Sequence, residues 1–73
     1  MNTRGIVLYY RPWREVDRTY TIYTEGYGKL LTRAIGIRKP KAKLAGVLEP
    51  FAEVELSIIE GKRYTVSGAM VRQ

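Results

Sequence analysis

The sequence contains no cysteine and no histidine among its 73 residues. Without cysteine, the chain can form neither disulfide bonds nor thiolate metal sites. Without histidine, it lacks the commonest general base and zinc ligand, and every Ser-His or Cys-His nucleophile pair. We therefore expect a protein that is not an enzyme and that needs neither a metal nor another cofactor.

Long apolar runs are missing as well, since the longest one, residues 6–10, has five residues. A membrane span needs about 20 such residues, and the core of a secretory signal needs about 7 to 15. We expect a soluble cytoplasmic protein with no membrane partner. At 8.4 kDa the chain has room for one small domain over residues 1–73, with a thin core.

Acidic residues are few and unevenly distributed. Lys and Arg number 13 against 7 Asp and Glu, which gives a formal net charge of +6. Residues 29–43 contain basic residues and no acid, whereas residues 49–60 contain acids and no base. With a pI near 9.9, this clustering is typical of a protein that binds a polyanion. The alternative is a charge that only keeps the protein soluble.

The distribution of apolar residues and turn residues predicts a β protein. Val, Ile and Tyr recur in short segments that are separated by glycine, proline and polar residues. We predict five strands, over residues 5–11, 18–24, 29–37, 51–60 and 63–72.

The segments between the predicted strands carry turn and loop residues. Pro12 cannot donate a ladder hydrogen bond, so it should end the first strand or lie on an edge. The predicted connections are a loop at residues 12–17, a hairpin turn at 25–28, a basic loop at 38–43 and a tight turn at 60–62. Residues 44–48 are predicted to form one turn of helix that ends before Pro50.

Alternation within the strands assigns side chains to the two faces of the sheet. In the second strand, Tyr20 and Ile22 should point opposite to Thr19, Thr21 and Tyr23. Gly36 suggests a β-bulge in the third strand. The expected core residues of the last two strands are Val54, Leu56, Ile58, Tyr64, Val66 and Met70.

Three strands, a helical link and a two-stranded hairpin form a recognisable order. It favours an all-β fold, a five-stranded Greek-key barrel of the OB type. An SH3-like barrel has a similar number of strands, but the link between the third and fourth strands favours the OB-fold.

Clustered cations and exposed aromatic residues are typical of a nucleic-acid surface. Single-strand-binding proteins combine a positive groove with aromatic side chains on which bases stack. We predict DNA-phosphate contacts from Arg11, Arg14, Arg18, Lys29, Arg33, Arg38, Lys39, Lys41 and Lys43. The aromatic candidates are Trp13, Tyr23 and Tyr27. Two alternatives are a solvated face for the basic residues and a lid over the barrel end for Trp13.

Two pairs of carboxylates offer a weaker signal. Glu53 and Glu55 share a strand face, but two carboxylates without a third ligand make a poor metal or acid–base site. We expect them to repel DNA from their face, or to pair with Arg63 across the last hairpin. Glu15 and Asp17 are expected to order the first loop through its backbone amides.

Four short motifs follow one another along nearly the whole chain. The first is Val7 and Leu8, followed by Glu15 and Asp17. The others are Thr24, Gly28 and Lys29; then Gly36, Arg38, Pro40, Lys41, Lys43 and Leu44; then Leu48, Pro50 and Phe51. In order and spacing, they resemble the N-terminal domain of the RecO family of recombination mediators.

This resemblance implies an OB-fold that binds single-stranded, and by extension double-stranded, DNA without sequence specificity. It also implies a role in DNA repair and recombination at the bacterial nucleoid. There, proteins of the family anneal strands and exchange single-strand-binding protein for a recombinase, together with RecR. Ala42 departs from the family, which often has Ser at this position and so a hydroxyl there.

The family's proteins continue into a helical domain, often with a zinc-binding cysteine cluster. This chain ends at Gln73 and has no cysteine. We therefore expect an excised domain or a short relative. From the residues alone, two further functions stay open: an RNA-binding OB module, and a protein-interaction module whose basic loop docks an acidic partner.

Overall fold

Five β-strands and one short helix make up residues 1–72, the part of the chain that the computed structural model describes. The strands form where β-branched and aromatic residues are dense, and glycine, proline or charged residues interrupt them. The elements are β1 (Asn2–Trp13), β2 (Asp17–Thr24), β3 (Gly28–Ala34), α1 (Leu44–Val47), β4 (Glu53–Ile59) and β5 (Tyr64–Val71).

The strands close into a barrel in the order β1-β2-β3-β5-β4. β1 pairs with β2 and also, through residues 2–6, with β4, so it belongs to both sides of the barrel. The parallel pair of β3 and β5 completes the closure, and all other pairs are antiparallel. The OB-type Greek-key barrel predicted from the sequence is confirmed.

Inward-pointing side chains form one apolar core. It consists of Val7, Tyr20, Ile22, Ala34, Ile37, Leu48, Val54, Leu56, Ile58 and Val66. Ile37 and Leu48 lie outside the strands, and α1 packs against β5, so the link between β3 and β4 contributes to the core. Among residues 1–72 there is no helix long and apolar enough to cross a membrane.

The prediction that Met70 is a core residue is wrong, because its side chain is 69% exposed. Alternation from Val66 placed Met70 inside, but the register of β4 and β5 shifts between Ser57 and Ile58. Ser57 pairs with Gly68 and Ile58 with Val66, so β5 holds one extra residue at this bulge. The bulge reverses the alternation. Ala69 then packs against the core in place of Met70.

The first strand is longer and the first loop shorter than predicted. β1 continues through Pro12 to Trp13, and only residues 14–16 form the turn. Pro12 is tolerated because β1 pairs with β4 only up to Ile6, which leaves one edge of its second half without a strand partner. Arg14 takes a positive φ of 58° in this turn.

Two further boundaries differ from the prediction. β3 ends at Ala34, and Gly36, with φ of 69°, lies in the following turn and not in a bulge. β4 begins at Glu53, so Phe51 is not a strand residue. Phe51 has φ of 69° and is 80% exposed, while its N–H donates to the Val7 carbonyl at 2.6 Å.

Candidate nucleic-acid interface

The outer surface formed by the second half of β1 with β2 and β3 is rich in cations and aromatic rings. Strand register sets Arg11, Thr19 and Arg33 in one row across the three strands, and Tyr9, Thr21 and Leu31 in the next. Tyr23 and Lys29 form a third pair. We call this surface the basic face; it comprises Tyr9, Arg11, Trp13, Thr19, Thr21, Tyr23, Lys29, Leu31 and Arg33.

Large side chains on the basic face are exposed to an unusual degree. Tyr9 is 47% exposed, Tyr23 58% and Leu31 63%. The cations Arg11 and Lys29 among them are also exposed. A contiguous exposed surface of this kind usually marks an interaction site. Rings beside cations are what a single nucleic-acid strand needs for stacking and phosphate contact.

Trp13 lies at one end of the basic face with arginines around its ring. The guanidinium carbon of Arg14 is 4.2 Å from the ring centroid, and those of Arg33 and Arg63 are each 5.5 Å away. These distances are within the range of cation–π attraction. The indole is half-buried, so Trp13 is neither a fully buried lid nor a free platform. We call Trp13, Arg14, Arg33 and Arg63 the Trp13 cluster.

A small open pocket of about 200 Å³ lies beside the Trp13 cluster. Its lining includes Trp13, Thr19, Leu31, Arg33, Lys62 and Arg63. Lys62 and Arg63 belong to the connection between β4 and β5. In OB-folds, this connection and the one between β1 and β2 flank the β2–β3 surface that binds oligonucleotides. Here both connections bring arginine to that surface.

The sequence prediction omitted Lys62 and Arg63 from the binding residues. Pairing with Arg63 was one of the two roles expected for the glutamates of the fourth strand. This role is wrong, because the Arg63 guanidinium lies beside Trp13. The tight turn at residues 60–62, directly before Arg63, was predicted from the sequence as the connection to the last strand. Once an OB-fold is assumed, the position of this turn already suggests the groove.

The basic loop, residues 38–43, is attached to the turn between β1 and β2. The Gly36 N–H donates to Asp17 Oδ1 at 2.6 Å, and the Arg38 N–H donates to the Val16 carbonyl at 2.8 Å. The prediction that Asp17 orders its own turn is therefore wrong. Its carboxylate instead accepts a hydrogen bond from the segment that precedes the basic loop. The loop, with its exposed cations Arg38, Lys39, Lys41 and Lys43, therefore starts beside the turn between β1 and β2.

Arg18 is set apart from the other predicted binding residues. Its guanidinium lies over the Tyr10 ring at 4.2 Å from the centroid, and Nη1 donates to Tyr20 Oη at 3.2 Å. This hydrogen bond raises the pKa of Arg18, and burial raises the pKa of Tyr20. Because Tyr20 points into the core, Arg18 belongs to the inner side of the barrel end.

Tyr27 lies at the opposite end of β2 and β3, in the turn that joins them. It is 52% exposed, and its N–H donates to Thr24 Oγ1 at 3.0 Å. Thr24 Oγ1 in turn donates to the Gly28 carbonyl at 2.7 Å. The turn is therefore ordered by Thr24, which leaves the Tyr27 ring at the surface.

The outer surface of β4 and β5, with the first half of β1, has the opposite character. Arg4 lies 3.9 Å from Glu25 and 4.0 Å from Glu55, and Arg72 lies 3.7 Å from Glu53 and 3.9 Å from Glu55. We call this the ion-paired face; it comprises Arg4, Glu25, Glu53, Glu55 and Arg72.

The remaining cations form no ion pair in the part of the chain that the structure describes. Within residues 1–72, every ion pair closer than 4.0 Å, or at that distance, involves Arg4 or Arg72. The basic face and the basic loop therefore present uncompensated charge. The same residues contain no group of three or more acidic side chains that could hold a metal ion.

Comparison with known proteins gives one consistent result. Residues 1–71 match the family model described as recombination protein O N terminal. Proteins named DNA repair protein RecO are 40% identical over 62 residues in Bifidobacterium longum (strain DJO10A) and 41% over 62 residues in Myxococcus xanthus (strain DK1622). Each match covers 85% of this chain, but it covers 26% and 25% of those relatives. The chain thus spans about a quarter of their length.

Proposed function

Because the chain belongs to the family of N-terminal domains of recombination protein O, we propose that it is a non-enzymatic DNA-binding module acting in DNA repair. Its ligand is DNA of any base sequence, bound along the basic face between the two flanking connections. The observation that carries this proposal is the separation of charge. Among the described residues, the cations of this face form no ion pair, whereas the opposite face is internally paired.

The basic face matches both parts of a nucleic-acid strand. Arg11 and Arg33 lie in one row across the strands, and Lys29 lies further along β3, so the three cations offer phosphate contacts at separate points of the face. Tyr9 and Tyr23 lie between them as exposed rings, and base stacking on such rings contributes about 1–3 kcal/mol per base. Neither feature depends on which base is present, so binding is sequence-tolerant. The basic loop extends the same positive surface.

Strand annealing follows from the same physics. Two complementary strands repel each other through their phosphates, and a cationic surface reduces this repulsion while it raises their local concentration. We therefore propose annealing and recombinase loading as the activity to which the domain contributes, with single-strand-binding protein and RecR as partners at the bacterial nucleoid. The resemblance to recombination mediators supports this choice of partners.

Fluorescence anisotropy with labelled oligonucleotides at increasing salt tests the proposal. For about four neutralised phosphates on a single strand, the slope of log K against log salt is about −3, and affinity falls about 50-fold between 50 and 200 mM salt. Oligonucleotides of different base composition should bind alike.

The comparison arms separate the alternatives. Absence of binding to any DNA at low salt, or a flat salt response, would contradict the proposal. Tighter binding of the matching RNA oligonucleotide would favour an RNA module, because the 2′-hydroxyl is what distinguishes RNA from DNA at a binding surface. Binding only in the presence of a protein partner would favour an interaction module.

A further inference from the structure

Three arginines converge on one indole ring. Arg14, Arg33 and Arg63 come from three different parts of the chain, yet all lie within 5.5 Å of the Trp13 centroid. None of them forms an ion pair within residues 1–72. Like charges brought this close repel each other. Their arrangement therefore needs a compensating interaction and creates a strong site for an anion.

Trp13 supplies part of the compensation. A guanidinium over an indole face is attracted by the negative face of the ring, and Trp is the strongest of the aromatic partners. Arg33 is held further by a hydrogen bond from Nε to Thr65 Oγ1 at 3.1 Å. That bond uses the Nε donor and leaves the Nη groups of Arg33 available to a ligand.

We propose that the pocket between Trp13 and the connection of β4 to β5 is a phosphate subsite, in which Arg33, Lys62 and Arg63 bind one phosphate of the strand. Trp13 is the positioning residue of this subsite, because it holds the guanidinium groups at the pocket. It is not a stacking platform for a base. This inference rests on the proposed function and adds to it a specific anchor for the nucleic-acid backbone.

The pocket has the composition that a phosphodiester requires. Arg33, Lys62 and Arg63 line it, and a guanidinium binds phosphate oxygens through two parallel hydrogen bonds. Thr19 adds a hydroxyl, and Leu31 and Trp13 give an apolar floor against which a sugar can pack. Its volume, about 200 Å³, accommodates a phosphate with part of its sugar but not a base pair.

The test measures binding of a fluorescently labelled oligothymidylate to the whole chain and to its variants. Arg63→Ala should weaken binding about tenfold because it removes a charged hydrogen-bonding partner of the phosphate, and should make the single-strand salt slope shallower by about 0.7. Arg4→Ala is the matched control, because it removes the same charge from the ion-paired face. It should leave the slope unchanged.

A double-mutant cycle between Trp13 and Arg63 tests the positioning role. Trp13→Leu removes no charge, yet it should weaken binding and reduce the salt slope. Adding Arg63→Ala to Trp13→Leu should then cost less than Arg63→Ala costs alone. Trp13→Phe retains a ring with weaker attraction for cations, so it should keep part of the affinity and serves as the folded variant if Trp13→Leu unfolds.

The outcomes distinguish this inference from the function on which it rests. If the unmodified chain does not bind the oligothymidylate, both fail. If it binds but Arg63→Ala keeps the full salt slope, the phosphate subsite is wrong while the DNA-binding function stands. If Trp13→Phe and Arg63→Ala act additively, Trp13 does not position Arg63. A loss of base-composition tolerance in Trp13→Phe would instead assign Trp13 to base stacking.

Discussion

The two outer surfaces of the barrel use arginine in opposite ways. On the ion-paired face, Arg4 and Arg72 lie against glutamates. On the basic face and in the Trp13 cluster at its end, Arg11, Arg14 and Arg33 lie over aromatic rings and form no ion pair within residues 1–72. The ion-paired face carries little net charge, so most of the formal net charge of +6 lies elsewhere on the barrel. A carboxylate neutralises an arginine, whereas a ring holds it in place and leaves its charge available.

Stability does not explain this division. Exposed ion pairs of the kind that Arg4 and Arg72 form contribute about 0–1 kcal/mol each. Their consequence is a face of low net charge. An uncompensated cationic face attracts and orients a polyanion over distances up to the Debye length, about 8 Å at physiological salt. We expect the difference between the faces to appear in binding and hardly at all in folding.

The largest effect should come from removing the basic loop's charges. Replacing Arg38, Lys39, Lys41 and Lys43 by Ala should weaken DNA binding strongly, because the loop continues the cationic surface from the turn between β1 and β2. The salt slope should become shallower by about 0.7 for each phosphate that the loop no longer neutralises. Anisotropy titrations measure the affinity, and thermal unfolding should show a nearly unchanged Tm, since exposed charges contribute little.

The control for the loop variant restores the net charge, but places it on the ion-paired face. Combining it with Glu53→Lys and Glu55→Lys returns the formal net charge to +6. If the position of charge matters, binding stays weak. Full recovery of affinity would mean that only net charge counts. Unchanged affinity in the loop variant alone would assign DNA to the barrel surface around Arg11 and Arg14.

The second prediction compares equal charge losses on the two faces. Arg11→Ala with Lys29→Ala should lower affinity about 100-fold at low salt, at about tenfold for each charged group removed. Arg4→Ala with Arg72→Ala removes the same charge from the ion-paired face and should lower affinity only a few-fold. Anisotropy titrations in parallel measure both. Equal losses for the two double variants would remove the distinction between the faces.

Much of the fold and part of the candidate site could be predicted from the sequence, because these features depend on local patterns. The five strands, the OB order, the core residues Val54, Leu56 and Ile58, and the basic loop follow from alternation, turn residues and charge runs. The Trp13 cluster does not. Arg63 lies beside Trp13 only because closure of the barrel brings the β4–β5 connection to the end of β1.

The bulge in β5 and the long-range hydrogen bond of Asp17 also could not be predicted from the sequence. The extra residue near Ser67 reverses the alternation of β5, and nothing in the sequence of that strand marks it apart from Gly68. Asp17 was expected to accept from amides of its own loop, but its partner, the Gly36 N–H, lies 19 residues further along the chain. A tertiary contact of this kind depends on the completed fold.

The third prediction addresses the strand that joins the two faces. Gly5 pairs with Thr24 of β2 and with Val54 of β4, and a Cβ at this position would lie 2.7 Å from Ile22 Cγ2. Gly5→Ala should therefore destabilise the barrel by about 1–3 kcal/mol through overpacking. Urea unfolding measures the change. Gly68→Ala, which meets no atom within 4 Å, is the control and should change little.

The smallest expected effect concerns Tyr20, which lies in the core beneath the basic face. Burial raises its pKa above the value near 10 that it has when unfolded. The folded state therefore resists loss of this proton. The stability that Tyr20 contributes is fully present below about pH 10 and is lost as the pH rises through the folded-state pKa.

Urea unfolding at about pH 8 and about pH 11 measures this dependence. Tyr20→Phe should cost about 1 kcal/mol at the lower pH, because the hydrogen bond from Arg18 is removed. It should also lose less stability than the unmodified chain between the two pH values. An identical loss in both proteins would show that Tyr20 does not set the high-pH limit.

Mapping the DNA-binding surface residue by residue tests the central claim most directly. In a ¹⁵N–¹H NMR titration with an oligothymidylate, we predict that amide shifts concentrate at β2, β3, Trp13 and Lys62–Arg63, and extend into the basic loop. The amide chemical shifts of Glu53, Glu55 and Met70 on the opposite surface should not change. Shifts centred on β4 and β5, or spread evenly over both faces, would contradict the account.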